Sequence, residues 1–533
     1  MPRVRAAVLR SNVDLAIGAD TVPWAAALLY IAVVSARAVP FSTATFLYAD
    51  APGNAYLGAG IVAGHQVTLI PLHSEVIPNV LAGLLLHLAG GHTLVQLLGP
   101  LLALALAGVV GATVRALGRP PLLALVATIA AGPIALFTYM FPTAHVLALL
   151  GAALLAWASV RAAAQRLTPL STALIVLASG LVLLGDGGFA VYGLLPLVAA
   201  GLVLWAVCGD RRALVRCLTI AISAVVVAVV ARALAPAAAS GIVFSPDAVQ
   251  MGFDLGRLPV AVPLAAHSFA WLITGGWYGR LLPVPWEALS LVAGCVVPLI
   301  APAVLALQLR RHRRPHADDT GVVAYCVFWA AADVLTLSAY LTLGLSESPQ
   351  SAYYLIPCLL SASATLPLGV TGRRSAWLAR GWASAAALVA AVGLAVLPAA
   401  TFSGAQAPID GQGIVDVLRA NHLDRGYADY WMSHPLTWIS DERVHVFPVE
   451  EHCAAGPAAV CRFLFSDASW YRRGSGPTFL ITRRPPGCVD TEPRALLGRP
   501  QRVISAGAGT VVLVYGYDIA GRFSPATERG CFP

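Results

Sequence analysis

The feature that most constrains this chain is a recurrence. Through residues 1–400, apolar runs close to 20 residues long follow one another with short breaks. Wound into helix, a run of about 20 residues spans the ~30 Å hydrocarbon core of a bilayer. Helices suit that solvent because each backbone N–H and C=O finds its partner inside the segment. Charge supports the reading: 11% of residues are charged and 58% hydrophobic, whereas a soluble domain carries about 25% charged residues. A soluble globular enzyme, a disordered chain and a nucleic-acid binder are therefore excluded. The net charge of +8 rests on arginine alone, since no lysine occurs. Such a bias reflects genome composition more than mechanism.

Eleven spans fit the hydropathy, near 21–40, 93–114, 121–140, 143–160, 169–185, 188–208, 216–236, 285–308, 321–344, 353–371 and 381–400. Orientation follows from arginine, which accumulates in cytoplasmic loops. With eleven spans the clusters Arg3/Arg5/Arg10, Arg115/Arg119, Arg161/Arg166, Arg211/Arg212/Arg216, Arg310/Arg311/Arg313/Arg314 and Arg373/Arg374/Arg380 all fall on one side. Only Arg37, Arg232, Arg257 and Arg280 then face outward. The N-terminus is expected inside the cell and the C-terminal region outside. Residues 259–277 are apolar enough for a twelfth span. Their Pro259, Pro263 and Gly275-Gly276-Trp277-Tyr278-Gly279-Arg280 end instead suit an interfacial or re-entrant helix, since Trp and Tyr prefer the headgroup layer.

Residues 401–533 differ in kind, with 13 arginines and 13 acidic residues. They are long enough to fold as a separate domain. Residues 412–421 read as an amphipathic helix, and short β-prone runs follow at 443–449, 462–466, 478–482, 502–505 and 510–516. The expected fold class is thus an all-α polytopic membrane domain, 1–400, plus a small extracytoplasmic α/β domain, 401–533. Four cysteines lie in the second, and an even number in an exported domain suggests two disulfides. The simplest sequential pairing is Cys453–Cys461 and Cys488–Cys531. Tyr427, Tyr430, Trp431 and Trp438, with Asp429 and His434, form an aromatic cluster that suits either sugar binding or a packed core edge.

Ionisable groups near a bilayer are expensive, so their placement is informative. On this topology Asp50, Glu75, Asp186, Asp247, Asp254, Glu287 and Glu347 face outward, and Asp333 falls within a span. The first outer loop, 41–92, is too long for a simple connector. It holds Tyr48, Asp50 and Tyr56, then Glu75, and four histidines: His65, His73, His87 and His92. A partly desolvated carboxylate at the membrane surface can serve as a general base. The structural alternative is a loop turned by Pro52-Gly53. Asp186 sits in a tight Gly-rich hairpin, Leu184-Gly185-Asp186-Gly187-Gly188. On the same side His145 begins the fourth span, where a satisfied helix-start residue is the ordinary outcome, and Tyr353-Tyr354-Leu355-Ile356-Pro357 opens the tenth.

Together these features resemble the C-type fold of integral-membrane glycosyltransferases that use a polyprenyl-phosphate sugar donor. The resemblance rests on the span number, the long acidic first loop, Tyr48-Ala49-Asp50, the Asp186 hairpin and the Tyr353–Pro357 opening. The segments Arg425–Trp431 and Leu436–Val444 resemble the outer domain of uncharacterised bacterial membrane proteins of this group. The resemblance implies that Asp50 is the catalytic base, in a loop with interfacial helices. It implies a place in the bacterial inner membrane, and as partners a polyprenyl-phosphate-linked sugar, a lipid or envelope glycan acceptor and membrane lipids. Glu75 and Asp186 would bind the acceptor or a divalent cation. Tyr48, His73 and Tyr353 complete the expected substrate-binding set. Where relatives often carry an arginine for the donor phosphate, Tyr353 stands here, so Arg257 or Arg280 would take that role. No metal-ligand spacing and no cofactor motif occurs in the sequence. The rival class is a non-catalytic transporter or scaffold of an envelope-glycan assembly.

Overall fold

The computed structural model describes residues 48–69, 76–119, 121, 124, 128, 145–238, 241–244, 252–274, 284–311, 319–344, 349–369, 410–452, 459–483, 497–507 and 509–525. The spans expected at 21–40 and 381–400, and nearly all of that at 121–140, lie outside these residues. So do His73, Glu75 and Arg280.

In chain order the membrane region comprises α1 (Asp50–Val62), β1 (Val67–Leu69), α2 (Val76–Leu86), α3 (Gly91–Ala116), α4 (Val146–Ala163) and α5 (Pro169–Gly185). A π-helical turn, Ala190–Leu194, leads into α6 (Leu195–Cys208). Then follow α7 (Arg211–Ala238), β2 (Ile242–Phe244), α8 (Leu258–Thr274), α9 (Val284–Arg311), α10 (Thr320–Thr342) and α11 (Ile356–Gly369). The tail adds α12 (Gly411–Ala420), β3 (Arg425–Asp429), α13 (Tyr430–Ile439), β4 (His445–His452), β5 (Ala459–Arg462), β6 (Ser466–Asp467), β7 (Thr478–Arg483), β8 (Arg502–Ser505) and β9 (Thr510–Tyr515).

Among the described residues seven helices are long and apolar enough to cross a membrane. The helix α5 is a shorter apolar one, which makes eight elements at positions read as spans from hydropathy. Burial orders them. In Val146–Ala163 72% of the span is buried and in Thr320–Thr342 67%, against 33% in Arg211–Ala237 and 28% in Gly294–Arg311. The first two form the centre of the bundle and the last two its lipid-facing rim. Small residues explain the centre: Ala148, Ala152, Ala156 and Ser159 of α4 are buried and let neighbouring backbones approach closely.

The helix α8 lies across helix ends. The Asp254 N–H just before it donates to the Thr342 carbonyl at 2.9 Å. Ser268, ten residues into α8, meets the Tyr340 hydroxyl at 3.1 Å. Asp254, just before α8, and Ser268 within it thus both meet the C-terminal end of α10.

The described residues of the first loop are mostly helix. Pro52 falls in the opening turn of α1, where proline is tolerated because its missing N–H has no helical partner. The helices α1 and α2 touch backbone to backbone: a Cβ on Gly58 would lie 1.7 Å from the Asn79 carbonyl oxygen.

The tail sheet runs β5-β4-β3-β7-β9-β8, with β3 parallel to β4 and β7 and the other pairs antiparallel. Strand alternation divides its side chains. Ala428, Ile481 and Val512 pack with Ile414, Leu418, Met432 and Leu436 of α12 and α13. Tyr427, Leu480 and Leu513 on the opposite face share a core with Leu57, Ile61, Val67, Leu69 and Ile242. A small second sheet, β2-β1-β6, joins the first loop, the segment after α7 and the tail. All three therefore lie on one side of the bundle, called the tail face below. Of the four tail cysteines Cys461 is disulfide-bonded; Cys453, Cys488 and Cys531 lie outside the described residues.

Candidate functional site

Asp50 is the first residue of α1 and sits where loop, bundle and tail meet. Its carboxylate Oδ1 accepts a hydrogen bond from the Tyr430 hydroxyl, 380 residues on in sequence. Burial pushes the Asp50 carboxyl up to about 6, with the Tyr430 hydrogen bond offsetting part of the rise. Tyr430 itself is held well above the ordinary phenol value, first by burial and then by the charge of Asp50. The phenol therefore keeps its proton and donates.

Local chemistry puts Tyr430 there. Asp429 caps α13, its Oδ1 accepting from the N–H groups of Trp431 at 2.9 Å and Met432 at 3.2 Å. That fixes Tyr430 as the first helical residue. Its ring stacks on Phe463 at 4.3 Å and meets Phe465 edge-on at 4.9 Å and His434 at 5.7 Å. His434 seats α13 on α1, for a Cβ on Gly53 would lie 2.7 Å from its ring. Burial pushes the His434 imidazole down to about 3, so it packs as a neutral ring.

Tyr48 and Tyr353 complete this half of the site. The Tyr48 ring lies 5.2 Å from that of Trp431, and the Tyr353 hydroxyl is within electrostatic reach of Tyr48 and Asp50. On the other side of Tyr353 opens a cavity of about 130 Å³. His145, Asp186, Tyr192, Thr336, Tyr353 and Tyr354 supply its polar and aromatic lining, and the remainder is largely aliphatic. Tyr353 and Tyr354 stand 4.2 Å apart, and Tyr353 stacks on His145 at 5.6 Å.

Asp186 is buried and fully engaged. Its Oδ2 lies 2.9 Å from His145 Nδ1 and accepts from the Tyr192 hydroxyl at 2.5 Å. Its Oδ1 accepts the Gly188 N–H at 2.8 Å. Burial by itself would raise this carboxyl. The His145 charge, with hydrogen bonds from His145, Tyr192 and the Gly188 backbone, outweighs it and holds the group below the usual carboxylate range.

Arg257 reaches the same end of α10. A Cβ on Gly344 would lie 2.2 Å from its guanidinium, one residue beyond Leu343 of the cavity wall. The structure thus gathers Asp50, Tyr48 and Tyr353, places Asp186 across the tyrosine pair and sets Arg257 beside the cavity. Asp186 lines the cavity and Asp50 does not.

Two expectations change. Two of the loop histidines, His65 and His92, pair with tail acids and not with Asp50: His65 Nδ1 meets Asp467 at 2.7 Å. His92 stacks on Trp438 at 4.0 Å and bonds Glu442 at 3.0 Å and Asp441 at 3.3 Å. Both tie the loop to the tail. The tail aromatics are not an open sugar platform either, since Tyr427, Tyr430, His434 and Trp438 are buried at the contact with α1. Reading the residues in order missed His145, Tyr192, Tyr354 and Tyr430 as site members. His145 carried a faint signal, a lone titratable residue opening a span opposite an acidic hairpin. Tyr430 stood out only as one of the tail's aromatic cluster, and its contact with Asp50 appears only in the tertiary fold. Among the described residues no group of three or more His, Cys, Asp or Glu side chains is placed to hold a metal ion.

No protein-family model and no curated protein sequence matches the chain. Solved structures do. The crystal structure of ArnT from Cupriavidus metallidurans bound to undecaprenyl phosphate matches at a TM-score of 0.50 and 13% identity. The match covers 92% of this chain and 98% of that one. The apo state of the same protein gives a TM-score of 0.40 at 14% identity, over 94% and 100%. The protein is thus a multi-pass membrane protein with the C-type fold. Its architecture is that of ArnT over nearly the whole length.

Proposed function

We propose that the protein is a membrane glycosyltransferase that moves a sugar from a polyprenyl-phosphate donor to a lipid or envelope-glycan acceptor. On this reading the tail face is extracytoplasmic, at the outer side of a bacterial inner membrane. Asp50 carries the reading. A carboxyl raised to about 6 by burial is a base near neutral pH, where general-base catalysis is most effective. It stands near a cavity that His145, Tyr192, Tyr353 and Tyr354 line together with aliphatic side chains, in a fold similar to that of ArnT, which was solved bound to undecaprenyl phosphate.

Asp50 would take the proton of the acceptor hydroxyl as its oxygen attacks the anomeric carbon. The bond from that carbon to the phosphate oxygen breaks, and polyprenyl phosphate leaves with the electron pair. Arg257, near the cavity wall, would receive the phosphate, since its planar fork matches phosphate oxygens. Tyr48 and Tyr353 would offer aromatic and hydroxyl contacts to the sugar. Asp186 would order the cavity wall through His145.

The test is sugar transfer by purified protein, from a panel of radiolabelled polyprenyl-phosphate sugars to extracted envelope acceptors. Transfer by the native protein and its loss in Asp50→Asn, at equal expression, is the expected result. A second reading, transport, draws on Asp333, which is buried within α10. Intramembrane acids commonly mark transport paths. If Asp333→Leu abolishes function while Asp50→Asn does not, transport is the better reading.

A further inference from the structure

We propose that Tyr430 is a positioning residue: the tail reaches across the seam to hold one oxygen of the Asp50 carboxylate, leaving the other for the substrate hydroxyl. This inference rests on the reading of Asp50 as the base. It concerns what makes that base competent.

Three observations carry it. First, the hydroxyl does something the ring does not. The ring is fixed by Phe463, Phe465, Trp431 and His434, and phenylalanine would fill that box equally well. Only the hydroxyl crosses to α1, where Asp50 is its partner. Second, the crossing is over-determined. The tail is bound to the same loop by His65–Asp467, by the pairing of β1 with β6 and by His92 with Glu442. His434 fills the space left by Gly53, one turn along α1 from Asp50. A hydroxyl placed by so many independent contacts is preorganised, which is what a catalytic constellation needs. Third, the donor is matched to the task. Tyr430 holds its proton more tightly than an ordinary phenol, so it stays a donor across the pH range in which Asp50 titrates.

The consequence is a division of labour. The membrane region supplies the base, and the tail sets its orientation and tempers its proton affinity. Asp50 lies far above the ordinary carboxyl value through burial, and the Tyr430 bond lowers it again in part. Without that bond the carboxyl would hold its proton to higher pH, and its oxygens could rotate away from the acceptor. Detachment of the tail would remove donor and enclosure together, so transfer depends on a docked tail.

The experiment is the pH profile of sugar transfer by the full-length protein carrying Tyr430→Phe, compared with 3-fluorotyrosine incorporated at position 430. Phenylalanine keeps the packing and removes the donor. Fluorotyrosine keeps the packing and strengthens the donor. The acidic limb of the profile is expected to move up by about one pH unit in Tyr430→Phe and down with fluorotyrosine, with kcat affected more than KM. A purely structural role would move neither limb in opposite senses. Limited proteolysis of the tail should be unchanged in both. An acidic limb that stays in place in both proteins, while Asp50→Asn remains inactive, overturns the role of Tyr430 and leaves the base standing. Full activity of Asp50→Asn overturns the base and this inference with it.

Discussion

Asp50 and Asp186 are both buried carboxyl groups in the region of the Tyr353–Tyr354 pair, and their neighbours differ. Asp50 accepts a hydrogen bond from the phenol of Tyr430, and burial leaves it pushed up to about 6. Asp186 has three partners, one of them a histidine whose charge opposes the cost of burial, so it is held low. The first is poised to exchange a proton. The second is a fixed anion that orders its surroundings. Titratable groups whose environments push their proton affinities apart commonly take different roles.

The sharpest way to break this comparison is to neutralise each acid in turn. Asp50→Asn should lower transfer by about 10²–10⁴-fold, the usual worth of a positioned base, with thermal stability unchanged or improved. In the native protein transfer should rise with pH through about 6, because only the deprotonated Asp50 accepts a proton. Asp186→Asn should do the opposite. It removes the charge facing His145 and mismatches the donors, costing about 2–3 kcal/mol of stability. Its remaining folded fraction should keep the same acidic limb. Thermal unfolding in detergent beside initial transfer rates separates the two. If Asp186→Asn moved the acidic limb and Asp50→Asn did not, the roles assigned here would be exchanged.

A smaller effect is expected at the seat of the tail. Gly53→Ala places a methyl group 2.7 Å from the ring of His434. Overpacking of this kind costs about 1–3 kcal/mol, and here it would push α13, and Tyr430 with it, away from Asp50. Transfer should fall although every polar group remains. His434→Ala in the same chain should restore part of the loss by making room, since residues in contact are not additive. A double-mutant cycle on transfer rate and on tail proteolysis measures this coupling. No recovery in the double variant would show that the two helices do not depend on this contact.

The two regions also differ in how far the sequence reveals them. The spans were readable because lipid leaves one period and one length to a helix, so α3, α4, α6, α7 and α10 fall within a few residues of the apolar runs. Asp186 was readable for the same reason, as an acid in a tight Gly-rich hairpin between two spans. The Asp50 side was half legible. The acid stood out in a loop too long for a connector, yet its partner comes from a helix 380 residues away, and no local pattern announces a contact made by two folded surfaces. The loop histidines misled for a related reason. A histidine beside acids suggests chemistry, but His65 and His92 meet their carboxylates across the interface with the tail and fasten it.

The least of the expected effects lies at that fastening. His92 stacks on Trp438 and bonds Glu442 and Asp441, which stand at φ +59 in the left-handed region, at the turn after α13. Glu442 and Asp441 are 42% and 72% exposed, so water and salt screen most of the attraction. His92→Ala should therefore cost no more than about 0.5–1 kcal/mol, the stacking on Trp438 included. The pH dependence has a definite sign. The Glu442 carboxyl is lowered from its ordinary value of 4.5, first by its hydrogen bond with His92. Its contribution is then present above pH 4.5 and lost as pH falls through the lower folded value. Tail proteolysis should quicken below that point in the native protein, and His92→Ala should flatten the dependence. Transfer near pH 7 should hardly change, because Tyr430, His434 and the β1–β6 pairing still hold the seam at Asp50. A large loss of transfer in His92→Ala would mean that the latch governs the base directly. The contrast between a poised Asp50 and a fixed Asp186 would then have to include the tail's own motion.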